Sequence, residues 1–353
     1  MPIKFTSGGA FHRDVDREVQ ALLADGRLVR RGYLLLWAKA AGVMAWAASS
    51  YIALVFFTGT ALAAAAWCVS LGLALAGIGF TIMHDANHGA FARRRSVNRL
   101  MSLSLDLIGG SSYIWAVKHL AHHTYPNITD HDPDIDALPL ARLDPAQRWH
   151  RWHQFQHLYA WPAYGLITIR WQFYSDFRFL HRGTIGPRPL RPPAGRALAV
   201  MVAGKLVFLA WAFAVPLLRH PVLPVLGCAL LVSYVASIVL TVVFQLSHCV
   251  EEAAFVDPAG EDPVRAWQVH QVETTVDFAR DNRLLTAYLG GLNHQIEHHL
   301  YPRLPHTLYP RIAPIVEAAA RRHGIRYVSQ PSLRAAIRSH GVWLREMGAP
   351  ALG

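Results

Sequence analysis

ALAAAAWCVSLGLALAGIGFTIMHDANHGAF, residues 61–91, runs without a charge from Ala61 to Met83 and then breaks into His84, Asp85 and His88. A segment that apolar is long enough to cross the hydrocarbon core of a bilayer, which needs roughly 20 residues. Three further stretches have the same character. Leu34–Phe57 contains only Lys39, Leu198–Leu218 contains only Lys205, and Val222–Leu246 has no charge. Without an amphipathic face these read as membrane spans rather than core helices of a soluble α-protein. Composition agrees: 53% of the 353 residues are hydrophobic and 16% are charged, with a mean hydropathy of +0.21, too apolar for an ordinary soluble domain.

The spans pair. The links Phe57–Ala61 (FTGTA) and Leu218–Val222 (LRHPV) are tight enough to force two hairpins. Residues 1–33, 84–197 and 247–353 then fall on one side of the membrane. That side holds every one of the 34 Lys and Arg except Lys39, Lys205 and Arg219, and the positive-inside rule assigns it to the cytoplasm. The expected architecture is an all-α integral membrane protein over residues 1–353 as a single domain, with four transmembrane helices (34–57, 61–83, 198–218, 222–246) and a cytoplasmic helical cap. The net charge of +11 is read as a surface facing anionic headgroups. No base-reading motif accompanies the scattered basic residues, so nucleic acid is not an expected partner. The N-terminus has no apolar h-region of a signal peptide. Cys68, Cys228 and Cys249 have no metal or disulfide spacing.

Twenty histidines are present, and they gather where the spans meet the basic side. His84 and His88 stand at i, i+4, on one helical face. His119, His122 and His123 follow at i, i+3, i+4. His248 ends the fourth span. In GGLNHQIEHHLYP, residues 290–302, His298 and His299 follow Gln295 at i+3 and i+4, and His294 shares the face as i−4 of His298. Imidazole is the commonest nitrogen ligand of transition metals. So many convergent rings exceed the needs of one four-coordinate zinc and fit two ions. A zinc hydrolase would carry HExxH, which is absent. Nitrogen-rich ligation at a membrane surface suits non-haem iron and O₂, chemistry needed where an alkyl chain offers no polar handle.

The set His84-Asp-Ala-Asn-His88, His119-Leu-Ala-His122-His123 and Gln295-Ile-Glu-His298-His299 resembles the three histidine boxes of the membrane fatty acid desaturases. Its Gln-led third box is similar to that of the front-end and bacterial linoleoyl-CoA desaturase-like branch. HHTYPNITDHDPDID, TTVDFARDNR and GGLNHQIEHHLYPRLPH extend the resemblance over most of the chain. The resemblance implies a cap holding two iron ions (Fe²⁺/Fe³⁺), with O₂ as co-substrate. Its ligands would be His84, His88, His119, His122, His123, His298 and His299, with His248 matching a further histidine after the fourth span. Gln295 takes the first position of the third box and ranks ahead of His294. Asp85 and Glu297 are candidates to accept the remaining ring N–H of a ligand. Tyr113 and Trp115, in the short apolar stretch Leu103–Val117, are candidates to line an acyl tunnel; that stretch is short for a span and reads as re-entrant or interfacial.

The implied activity introduces a cis double bond into a fatty acyl chain carried on CoA, acyl-carrier protein or a membrane lipid. Hydroxylation or acetylenic bond formation are sister reactions on the same scaffold. A metal transporter or sensor is the reading from another class, but it would place polar groups within the spans. With no HPGG haem motif and no GxGxxG, electrons are expected from separate proteins, ferredoxin and its reductase or cytochrome b5, and the resemblance points to a bacterial inner membrane. Two patterns are set aside. His150, His153 and His157 sit among Trp149, Trp152 and Arg148 as in an interfacial helix. Asp132, Asp134 and Asp136 have calcium-loop spacing, but Ala137 and Leu143 occupy the Gly and Glu positions of an EF-hand loop, so DHDPDID reads as a structural loop beside the second box. Arg93–Arg95 reads as a positive-inside anchor.

Overall fold

The computed structural model describes residues 3, 5–6, 9–186, 188–258 and 265–350. It is predominantly helical, and among the described residues four helices are long and apolar enough to cross a membrane: Gly26–Phe57, Ala61–His88, Arg196–Leu217 and Val222–His248. Three of them run past the apolar stretch that announces them into polar sequence, and the other is Arg196–Leu217 against the expected 198–218. Thr60 starts the second helix, its Oγ1 accepting from the Ala63 amide at 3.2 Å, and Gly89 ends it in the left-handed conformation at φ 76°. The apolar stretch between the first two boxes is two helices, Arg95–Leu107 and Ser112–Thr124, meeting at 103°. That bend is the geometry of a re-entrant or broken segment rather than of a fifth straight span.

The chain forms two compact units. One comprises residues 36–117 and 161–242 and contains most of the long helices. Small and hydroxyl residues bring its helices close, as packing in lipid requires. A Cβ added to Gly72 would lie 2.7 Å from the Val235 Cβ and 2.9 Å from the Val232 carbonyl oxygen. Ser50 and Ser70 share a hydrogen bond at 2.8 Å, and Trp46 Nε1 donates to Ser70 at 2.9 Å. Lys205 is neutralised where it stands: its Nζ lies 2.8 Å from Asp176 Oδ2 and donates to the Gly109 carbonyl at 2.6 Å. This unit also holds a cavity of about 340 Å³ walled mainly by apolar side chains, among them Leu71, Leu75, Phe208 and Val232, with Gln172 and Ser233 as polar members.

The other unit comprises residues 1–35, 118–160 and 243–353. Its core joins Phe11, Val15 and Val19 of the helix Ala10–Leu23 to Ile312 and Val316 of the helix Tyr309–Arg322. Ile296 packs into the same core, which anchors one face of the short helix Gln295–Leu300 and leaves its histidines on the other. A parallel pair, Asp277–Phe278 with Ser329–Gln330, holds the segment before that helix. Cys68, Cys228 and Cys249 are free thiols.

Candidate metal centre

Two groups of imidazoles converge within the unit built on residues 1–35, 118–160 and 243–353. His122, His248 and His299 each offer a ring nitrogen within 4.8 Å of the others. Their ring centroids are 4.5 Å (His122–His248), 5.1 Å (His122–His299) and 5.0 Å (His248–His299) apart. His119, His123 and His298 do the same. Here His123 Nε2 lies 3.1 Å from His119 Nε2 and 2.9 Å from His298 Nε2. One Nε2 carries one proton or one lone pair, so it satisfies one of these neighbours and not both. A cation at the focus removes the conflict.

The donor set fits a metal on independent grounds. All six rings are buried, and His122, His248, His298 and His299 have no exposure at all. His122 Nε2 and His299 Nε2 are buried without a hydrogen-bond partner, which costs free energy unless something ligates them. Their opposite nitrogens are held: His122 Nδ1–H donates to Asp132 Oδ2 at 2.8 Å, and His299 Nδ1–H to Gln271 Oε1 at 2.7 Å. These contacts fix the tautomer that leaves Nε2 as a lone pair. Burial, and after it the neighbouring rings of His123, His248, His122 and His119, hold His299 well below its ordinary pKa. The ring is therefore neutral and able to ligate.

The loop after the second box builds the support. Asn127 adopts φ 52°, and its amide side chain donates to the carbonyls of His248 at 2.8 Å, Ala254 at 3.2 Å and Thr274 at 3.3 Å. Asp132 accepts from the amides of Asn127 at 2.9 Å and Asp134 at 2.8 Å while it holds His122. DHDPDID is a loop whose Asp132 holds the ring of His122. Asp134 lies 3.8 Å from His119 Nδ1 and is paired with Lys118.

Gln295 Nε2 lies 3.0 Å from His248 Nε2. His294, the other contender at that position, is grouped with Asp277 and Glu297. Glu297 does not reach the ring of His298, whose Nδ1 faces the Tyr309 hydroxyl at 3.2 Å; its carboxylate lies 3.9 Å from His294 Nδ1 and accepts from Tyr327 at 3.0 Å. Burial and the adjacent Asp277 carboxyl push Glu297 well above the usual carboxylate range. His84 and His88 belong to the other unit, at the end of the second long helix. A π turn over Gly79–Met83 immediately precedes them, a feature frequent at functional sites because it re-aims the residues that follow. Their rings are 4.8 Å apart, with Trp115 at 6.0 Å and 6.4 Å. Asp85 Oδ1 is 4.0 Å from His84 Nδ1, beyond hydrogen-bond length. The Tyr113 hydroxyl donates to the Arg191 carbonyl at 2.9 Å, and neither Tyr113 nor Trp115 lines the cavity of that unit. His153 is buried against the Pro139 carbonyl at 3.0 Å, a structural contact.

The contacts of Asp132, Gln271 and Tyr309 with the clustered rings are not among the sequence expectations, although each holds the second nitrogen of one ring. Asp132 carried a signal, since it lies ten residues beyond His122 in a loop beside a ligand cluster. Gln271 and Tyr309 carried none, because residues 28 and 11 positions away meet the third box only through folding.

Apolar helices of membrane-crossing length joined to buried polyhistidine clusters define a membrane protein built to bind metal. Residues 59–331 match the family described as fatty acid desaturase. The chain is 32% identical over 348 residues to the sn-1 linoleoyl-lipid 6-desaturase of Arthrospira platensis, covering 98% of this chain and 94% of that one. It is likewise 32% identical over 350 residues to the sn-1 linoleoyl-lipid 6-desaturase of a Synechocystis species, covering 98% of each. An acyl-lipid (8-3)-desaturase of Physcomitrium patens is 33% identical over 313 residues, 85% of this chain and 64% of that one. The chain belongs to the fatty acid desaturase family, and it is a membrane oxidoreductase that introduces double bonds into fatty acyl chains.

Proposed function

We propose that this enzyme is an O₂-dependent di-iron desaturase that forms a cis double bond in an acyl chain esterified to a membrane lipid. The observation that carries the reading is the pair of buried, unpartnered Nε2 atoms of His122 and His299, each aimed by a hydrogen bond on the opposite ring nitrogen. Two iron ions would supply the O₂-derived oxidant that an unactivated C–H bond requires. His119, His123 and His298 would hold one ion, and His122, His248 and His299 the other, with Gln295 beside His248. His84 and His88 join the proposed ligands on their motif alone.

The chain's own contribution is geometric. Asp132 and Gln271 hold imidazole tautomers, burial excludes water, and burial also keeps the rings of His248 and His299 neutral, with their lone pairs free to ligate. The balanced reaction converts –CH₂–CH₂–, O₂, two electrons and two protons into –CH=CH– and two waters. An acyl-lipid substrate is supported by the names of the relatives, which act on linoleoyl lipids and acyl lipids. The apolar cavity lined by Leu71, Leu75 and Val232 offers the kind of wall a hydrocarbon chain takes. The basic side, facing the cytoplasm of a bacterial inner membrane by the positive-inside rule, would receive electrons from ferredoxin and its reductase or from cytochrome b5.

Mass spectrometry of total acyl chains from a host expressing the protein tests this, with His299→Ala as control. The expected product lacks two hydrogens, is absent from the control, and resides in glycerolipid. A product carrying one added oxygen would instead make the enzyme a hydroxylase.

A further inference from the structure

We propose that Asp277, His294 and Glu297 form a separate site for one divalent first-row metal cation. The three side chains each offer a ligand atom within 4.8 Å of one another. Asp277 and Glu297 have no exposure and His294 has 2%. Glu297 Oε2 and both ring nitrogens of His294 are buried without a hydrogen-bond partner. Leaving three such atoms unsatisfied is costly.

The protein groups around the site do not resolve this. Tyr327 has one hydroxyl proton, and it faces Asp277 Oδ2 at 2.6 Å and Glu297 Oε1 at 3.0 Å. It serves one of them at a time. Arg280, the nearby cation, is engaged by Glu317 at 2.8 Å and by the Tyr327 oxygen at 2.9 Å. The Ile296 amide fills one lone pair of Asp277 Oδ1 at 3.0 Å, which leaves each carboxylate with spare acceptors. A proton shared by the two carboxyls would satisfy an oxygen and still leave both nitrogens of His294 bare.

The separation between His294 Nδ1 and Glu297 Oε2 is 3.9 Å. That is too wide for a hydrogen bond. It lies inside the span of about 4.2 Å open to two ligand atoms that each stand ~2.1 Å from a shared ion. One imidazole and two carboxylates form a mixed nitrogen and oxygen set of the type that takes manganese, iron or zinc. The site goes beyond the di-iron reading, since none of its residues is among the rings assigned to those two ions.

The test uses the full-length, iron-loaded protein in detergent, supplied with Mn²⁺ and desalted. Manganese, low in the affinity series, does not displace iron from the histidine groups. The expected result is one manganese per chain by elemental analysis. It is lost in Glu297→Gln and in His294→Ala with the iron count unchanged. Spin-echo modulation of the wild-type Mn²⁺ signal should show one imidazole nitrogen, a readout that needs no variant to fold. No bound manganese, manganese retained by both variants, or a signal with no nitrogen or several would overturn the proposal. A preparation without iron would defeat the di-iron reading alone; this site is then scored by the one manganese per chain that disappears in Glu297→Gln, whatever the histidine groups take up.

Discussion

Asp132 Oδ2 accepts the Nδ1–H of His122 at 2.8 Å, with both side chains fully buried. The carboxylate that aims this ring lies in a loop with calcium-like spacing, and the same oxygen also caps the Asn127 amide. Carboxylates in this position typically change metal affinity by 10–100-fold when removed. Asp132→Asn is expected to weaken iron binding by about that factor, measured by competition with a chelator, while the thermal unfolding transition remains cooperative. Asp132→Glu should recover part of the affinity. An unchanged iron affinity in Asp132→Asn would mean that the carboxylate charge beside His122 does not tune the metal site.

Gln295 and His294 are neighbours in sequence and diverge in space. The first faces His248 at 3.0 Å and the second joins Asp277 and Glu297. Gln295→Ala is expected to lower iron retention by roughly tenfold, as for other groups that orient a ligand. His294→Ala is expected to keep both iron ions. Iron per chain after gel filtration decides the matter, and the reverse pattern would place His294 at the iron centre.

Lys205 and Asp176 form an ion pair at 2.8 Å in which the lysine also donates to the carbonyls of Gly109 at 2.6 Å and Gln172 at 3.1 Å. Breaking a buried pair by removing one partner typically costs about 3–5 kcal/mol, because the other charge is left without compensation. Lys205→Met is expected to lower the unfolding midpoint in detergent sharply. Lys205→Met with Asp176→Leu is expected to recover much of the loss. Equal destabilisation in the single and double variants would show that the lysine acts through its carbonyl contacts and not through the pair.

The four spans were legible because each is a long apolar run between a turn signal and a polar end. The limits differ where a helix runs on into polar sequence that hydropathy does not register, as in Ala61–His88 against the expected 61–83. The clustered rings were legible from i, i+3, i+4 spacing, which places them on one helical face before any tertiary contact is known. What sequence could not supply was the partner of each ring's second nitrogen. Gln271 for His299 and Tyr309 for His298 are brought in by a core in which Ile296 and Ile312 pack together. Adjacency misled at Glu297: a residue next to His298 in a helix points about 100° away from it, and so its carboxylate meets His294 and Tyr327 instead.

His340 gives the fold an acid sensitivity of known sign. It is fully buried, its Nδ1–H donates to the Cys249 carbonyl at 2.6 Å, and burial lowers its pKa from 6.5 to about 4. The neutral ring is favoured in the folded state, so between these two values the unfolded chain binds the extra proton. Stability from this group is complete above pH 6.5 and falls as the pH drops toward 4, by roughly 3 kcal/mol in total at 1.36 kcal/mol per pKa unit. His340→Asn keeps a donor near the Nδ1 position and cannot titrate. It is expected to be less stable than the wild type at pH 7, through lost packing, with the gap narrowing by about that amount on acidification. The other histidines are common to both proteins, so the difference between their unfolding curves at pH 7, 6, 5 and 4 reports on this ring. Parallel curves across the series would mean that His340 is not held neutral by the fold.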